Sequence, residues 1–380
     1  MEKKEKMIRN LFFSVCALAL FSVPVILRAS NYQAASTEND AAEKIPEVKR
    51  PADLVLIYDG FYNRPKYTPD EMRHYIFRNN GGKVEWLFDG FLFLEIYART
   101  GDVEYDYGIA SHGRISARKI EWENLLKTTF AEGLGPDAIE ETIDSLVKSG
   151  VKLPYKREIV FSLPNPQVQC KDWGELNGRK MDFNKTEDRL EAVKWYVQQI
   201  RKIWKKKKYK YLNLSGFYWV HEQIDKQYGD DVLVKEVQAY LNKLGYPLIW
   251  IPYNGAPGVD ENWKSLGFDI AYQQPNYFFG ENTSIDLMHS AINTAEKYDM
   301  SLEMEFDDNV SKPLYRDKFY TYLREFEKSG AWDKFPVAYY EGGGAWLRMS
   351  QSSDPEMQKM VKAMGDILVK RKEKLSTIIK

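Results

Sequence analysis

Two glutamates and their neighbours carry the chemistry that this sequence offers. In Ser301-Leu302-Glu303-Met304-Glu305-Phe306-Asp307-Asp308-Asn309, the apolar residues Leu302, Met304 and Phe306 alternate with Glu303, Glu305 and Asp307. As a strand, the stretch puts an apolar row on one face and carboxylates on the other. A half-buried edge strand with its acids in water would show the same pattern. Acids this dense repel one another unless a site needs them, which favours a functional reading. The second glutamate is Glu222, in Gly216-Phe217-Tyr218-Trp219-Val220-His221-Glu222. One carboxyl group kept protonated and a second kept ionised, on either side of a glycosidic bond, suffice to hydrolyse it. Glu222 and Glu305 are the candidate pair, with Glu303 and Asp307 as alternatives to Glu305.

The elements that must position this pair alternate along the chain. Strand-like runs fall at 53–59, 84–95, 158–163, 209–217 with a continuation to 222, 247–253, 268–274, 301–309 and 335–341. Helical patterns lie between them. Thr68-Pro69-Asp70-Glu71 opens one with a capping box, and Gly135-Pro136-Asp137 opens another that stops at Gly150. Others are expected over 187–205 behind a Thr186 cap, and over 231–244, 284–298, 315–329 and 355–370. Eight strands interleaved with helices predict an α/β fold, a single (β/α)8 TIM barrel domain over 51–380.

In such a barrel the site lies at the C-terminal strand ends. Read in order, these ends and their loops offer Asp59 and Asn63, Asp89, Trp219 with His221, Tyr253 with Asn254, Gln273 and Gln274 with Asn276 and Tyr277, Asp307, and Glu341 with Trp346. Carboxylates and amides interleaved with aromatics suit a polyhydroxylated ligand, because hydroxyls want planar donors and acceptors while ring faces want aromatics. All fourteen are therefore substrate-binding candidates. Asp59 and Asp89 each precede glycine, so either is equally well a turn residue. Glu341 precedes Gly342-Gly343-Gly344, which is a ligand contact or simply a flexible loop.

Composition narrows the partners. The 380 residues carry 54 Lys+Arg against 55 Asp+Glu, a net charge of -1, which gives no electrostatic footprint for nucleic acid. No cofactor is expected. The four histidines lack metal-protease spacing, no Gly-x-Ser-x-Gly elbow occurs, and Asp307-Asp308-Asn309 lacks the spacing of a calcium loop, so no metal is expected. At the N-terminus, Lys3, Lys4, Lys6 and Arg9 precede the apolar run 11–27, and Ala29-Ser30 follows. This reads as a signal peptide over 1–30 and a flexible linker over 31–50, hence an exported protein of the periplasm, cell surface or exterior. Membrane attachment is open only through that segment, where Cys16 lies. With the signal removed, Cys170 is the one cysteine, which excludes an internal disulfide.

Two resemblances follow from these residues. Glu222 after strand 4 and Glu305 on strand 7 resemble the acid/base and nucleophile of the clan of retaining (β/α)8 glycoside hydrolases. That clan usually has Asn before the strand 4 acid, where this chain has His221. The domain as a whole resembles the secreted bacterial family called domain of unknown function 4855. The resemblance rests on Leu56-Ile57-Tyr58-Asp59-Gly60, Gly216-Phe217-Tyr218-Trp219 with His221-Glu222, Trp250-Ile251-Pro252-Tyr253 and Glu303-Met304-Glu305-Phe306-Asp307. It implies export and polysaccharide use and supplies no substrate. The expected activity is hydrolysis of a poly- or oligosaccharide. The alternatives are a glycan-binding barrel without catalysis and, from a different class, a structural envelope protein.

Overall fold

A computed structural model of the chain describes residues 50–60, 62–108, 114–259 and 263–374. The signal-peptide reading, most of the linker, Cys16 and His112 lie outside the described residues. Among the described residues no helix is long and apolar enough to cross a membrane.

Eight parallel strands close into a barrel: β1 Asp53–Tyr58, β2 Gly90–Leu94, β3 Arg157–Leu163, β4 Leu212–Trp219, β5 Leu248–Trp250, β6 Ile270–Gln273, β7 Ser301–Glu305 and β8 Val337–Tyr340. β1 pairs with β2 on one side and with β8 on the other, which closes the ring. The (β/α)8 expectation holds. The strands are apolar on both faces because both are buried. Leu54, Leu56, Leu92, Leu94, Val160, Tyr218, Ile249, Ile251, Tyr272 and Ala338 fill the interior. Their alternates, such as Val55, Ile57, Phe91, Phe93, Trp250, Leu302 and Met304, pack outward against the helices. Paired on both sides, β7 is no solvated edge.

The helices that flank the barrel are α1 Pro69–Ile76, α2 Lys119–Thr129, α3 Pro136–Lys148, α4 Thr186–Lys207, α5 Asp230–Lys243, α6 Asp286–Tyr298, α7 Pro313–Lys328, α8 Ala331–Lys334, α9 Ala345–Gln351 and α10 Pro355–Glu373. Glu71 accepts the Thr68 N–H at 3.0 Å, closing the expected box of α1. The residue that caps α4 is Lys185, one before the expected Thr186.

The largest departure lies around the second strand. Residues 84–95 do not form one strand: Phe77–Asn80 and Lys83–Trp86 pair as an antiparallel hairpin outside the barrel, and β2 begins only at Gly90. A Cβ on Gly90 would lie 2.5 Å from Pro51, so β2 packs against the start of β1 through a residue without a side chain. After β2 the chain makes a three-stranded sheet (Tyr97–Thr100, Val103–Asp106, Ile115–Ser116) and then the unexpected α2.

Candidate active site

Strand alternation decides which side chains reach the mouth of the barrel. On β7, Leu302, Met304 and Phe306 belong to the outer layer, so Glu303 and Glu305 point inward. Both are buried, at 2% and 1% exposure. Glu305 accepts the Tyr322 hydroxyl from α7 at 2.5 Å and faces the Asn276 amide at 3.5 Å. On β4, Tyr218 and Val220 point inward and Trp219 outward, so the alternation delivers the half-buried Glu222 to the mouth.

Glu303 feels the charge of both glutamates. Burial pushes the Glu303 carboxyl well above the ordinary range, and the negative charges of Glu305 and Glu222 push it further. Its Oε1 is buried with no hydrogen-bond partner among the described residues. Tyr58 and Tyr218, themselves raised first by burial, feel both Glu222 and Glu303 and so belong to the same cluster. Tyr340 stands edge-on to Tyr58 at 5.9 Å, and Phe279 edge-on to Tyr340 at 5.4 Å. The Arg64 guanidinium lies 4.9 Å from the Tyr58 ring centre and gives two 3.0 Å hydrogen bonds to Glu95. Tyr58, Tyr218 and Tyr340 thus stand at the C-terminal ends of β1, β4 and β8, the first two within the field of Glu222 and Glu303.

The remaining candidates divide. Amides from the β5 and β6 ends form one network beside Glu305: Asn276 Oδ1 accepts the Asn254 N–H at 2.7 Å, its Nδ2 donates to Gln274 at 3.3 Å, and Gln273 and Gln274 donate to the carbonyls of Pro252 and Ile251. Tyr253 is half-buried and donates to Gln223 at 2.9 Å. Asn63 is exposed. Asp307 caps the turn that follows β7, accepting from the Asn309 N–H at 2.8 Å.

Seven candidates are not at the mouth. Asp89 precedes β2 and sits at the opposite end, where its carboxylate accepts the N–H groups of Ala52 (3.1 Å) and Asp53 (2.8 Å). Asp59 comes one residue after the inward Tyr58 and turns outward into a cavity of about 10 Å³ lined by Phe93, Leu125, Thr129 and Phe161. Burial there raises its carboxyl to about 8. Trp219, Tyr277 and Trp346 are buried in the outer layer. His221 turns outward to Asp225 and Asp230, at 3.8 and 3.6 Å. Glu341 accepts the N–H groups of Gly344 (2.8 Å) and Trp346 (2.7 Å), anchoring the start of α9, and burial raises it to about 8. Tyr58, Tyr218, Tyr340, Glu95 and Arg64 were not foreseen. The signal for Tyr58 was present, since Leu54, Leu56 and Tyr58 share one face.

A model of the family described as Domain of unknown function (DUF4855) matches residues 53–365. The chain belongs to that family. No curated protein matches it. Among solved structures it is similar to a chitinase from Chromobacterium violaceum, at 10% identity over 82% of this chain and 98% of that one, with a TM-score of 0.38. A xylanase from Thermoanaerobacterium saccharolyticum gives 11%, 84%, 93% and 0.41. The tryptophan synthase α-subunit of Pyrococcus furiosus gives 9%, 84%, 99% and 0.36. Likenesses this distant carry no information about the chemistry.

Metal ligation has one candidate among the described residues: His221, Asp225 and Asp230 each offer an atom within 4.8 Å of the others. Asp230 is already held by the buried Arg189, at 2.5 Å, which supplies the positive charge that a cation would otherwise bring.

Proposed function

We propose that this chain is an exported glycoside hydrolase acting on a poly- or oligosaccharide by a retaining, two-carboxylate mechanism. Glu222 is the acid/base and Glu305 the nucleophile. The observation that carries the reading is that carboxyl groups from β4 and β7, far apart in sequence, converge on one electrostatic cluster at the barrel mouth. Acid and base roles need such neighbours. Tyr322 and Asn276 orient Glu305, and the amide network beside it offers groups that bind sugar hydroxyls. Export rests on the basic and apolar N-terminal segment.

The test is a panel of polysaccharides and aryl glycosides offered to the purified protein, with Glu222→Gln and Glu305→Gln beside it. Both variants are expected to lose about 10³-fold or more in turnover while still binding, as enzymes do when an acid or nucleophile is removed. The anomer of the first product reports retention. If the parent releases nothing, or either variant keeps its rate, the assignment is wrong. One observation favours a second reading, a binding barrel without catalysis: Glu305 is 1% exposed, which leaves little surface for attack on a bound sugar. Binding without release in the same panel decides for it.

A further inference from the structure

One face of α7 carries Tyr315, Lys318 and Tyr322, spaced i, i+3 and i+7, and all three are buried. Tyr322 donates to Glu305 at 2.5 Å. Lys318, only 4% exposed, spends its ammonium group on uncharged oxygens of a single loop. Its Nζ donates to the Tyr277 carbonyl at 3.1 Å, to the Gly280 carbonyl and to the Thr283 hydroxyl. The same nitrogen lies 4.8 Å from the centre of the Tyr277 ring. Thr283 ties the loop to itself, its hydroxyl donating to the Tyr277 carbonyl at 2.6 Å. Burying an ammonium group among neutral oxygens is costly, and burial pushes Lys318 below the ordinary lysine range. Three N–H donors on one nitrogen meet three oxygens of one loop, a match that the planar fork of an arginine does not make.

The loop so gripped, 274–285 between β6 and α6, reaches Glu305 from two sides. Asn276, one residue before Tyr277, has a left-handed backbone at φ +55°, a conformation that persists in a residue with a side chain only where its surroundings enforce it. From there its amide faces Glu305 at 3.5 Å. The Tyr277 ring stands edge-on to Tyr322 at 5.8 Å, so the residue that Lys318 holds by carbonyl and ring also packs on the phenol that binds Glu305. We propose that Lys318 is a positioning residue: by clamping Tyr277, Gly280 and Thr283 it holds both Asn276 and Tyr322 against Glu305. This rests on the reading of Glu305 as the nucleophile and deepens it by naming what keeps that carboxylate in line. Without the clamp the loop loses its link to α7 through Lys318, and the two groups that orient Glu305 no longer move as one unit.

The Tyr322 hydroxyl proton reports on the clamp without any substrate. Shared with Glu305 in a short buried bond, it is expected as a downfield proton resonance in NMR spectra of the full-length protein, assigned by its loss in Tyr322→Phe. Lys318→Met keeps most of the stem and removes the donors. It is expected to move that resonance upfield or abolish it, and to speed amide exchange across 276–284. On a glycan that the parent cleaves, it is expected to lower kcat by about 10²-fold with KM little changed, the cost of a misplaced reacting group. Thr283→Val removes one of the three acceptors, is expected to make the same changes to a smaller degree, and carries the test where Lys318→Met does not fold. A resonance and a loop exchange that both stay as in the parent overturn the proposal, whatever the activity. A parent without the resonance has no such bond for Lys318 to position, which overturns it too. A loosened loop with unchanged kcat overturns it while the hydrolase reading stands. If the parent cleaves no glycan but the resonance and the loop both respond, the clamp on Glu305 stands and the hydrolase reading falls.

Discussion

The two ends of the barrel bury acids equally deeply and treat them in opposite ways. At the N-terminal end, Asp53 and Asp89 meet the last turn of α10. Arg371 gives Asp53 a 2.7 Å bond and reaches the carbonyls of Ala52, Phe335 and Trp332, while Lys372 bridges Asp53 and Asp89. Burial alone would raise the Asp53 carboxyl, yet Arg371 and Lys372 hold it below its ordinary range. At the mouth, burial and the charges of Glu305 and Glu222 drive Glu303 up. Equally deep burial thus leaves one acid lowered beside two cations and the other raised beside two acids.

The sharpest way to break that contrast is to remove a charge from each end. Arg371→Met leaves Asp53 buried beside Lys372 alone and is expected to cost about 3–5 kcal/mol in denaturant unfolding. Glu303→Gln deletes a carboxyl that lacks a partner, and its stability is expected within about 1 kcal/mol of the parent or above it. If Glu303→Gln costs as much as Arg371→Met, the mouth acids are structural and the contrast fails.

A pH series sharpens it further. Asp59 titrates near 8 when folded and in the ordinary carboxylate range when unfolded, so above that range the unfolded chain binds fewer protons than the folded one. Its contribution is therefore fully present at low pH and is lost as pH rises toward 8, by up to about 1.4 kcal/mol per pH unit. Asp53 has the opposite sign: its contribution is present above the ordinary range and is lost as pH falls through its lowered folded value. Thermal melts of Asp59→Asn against the parent between pH 5 and 8 are expected to remove the downward slope that Asp59 causes. An unchanged slope would mean that Asp59 is ionised and solvated.

The barrel was legible because strands buried on both faces read as apolar runs whose spacing demands helices between them. The site was legible only in part, since the side on which a residue points flips with one position. Asp59 and His221 each stand one residue from the inward-facing Tyr58 and Glu222, and polarity alone cannot tell the two members of such a pair apart. Asp89 misled because an Asp-Gly pair reads the same before a strand as after one, and the hairpin at 77–86 has strand character that merged with β2. Glu303 stood in plain view as an alternative to Glu305. What the sequence could not show is how deeply it would be buried and that Glu222 and Glu305 would both act on it.

The smallest expected effect concerns the glycine run that reads as a flexible loop. Its backbone is instead closely packed: Gly342 has φ +61° with Asp307 Cβ 2.6 Å from where a Cβ would stand, and Gly343 has φ +79° with the Arg64 guanidinium 2.6 Å from the same point. The turn carries the Gly344 and Trp346 N–H groups onto Glu341, and the absence of a side chain at Gly343 lets Arg64 lie between the run and Glu95. Gly343→Ala is therefore expected to cost about 1–2 kcal/mol, from left-handed backbone strain together with the shift forced on Arg64. Because Arg64 is the cation that pairs with Glu95 beside the mouth, ligand affinity should fall with stability. Gly342→Ala, which pushes on Asp307 instead, should cost similar stability with a smaller loss of affinity. Equal losses of affinity from both would show that the turn acts as one rigid block, and no loss of stability from either would restore the flexible loop.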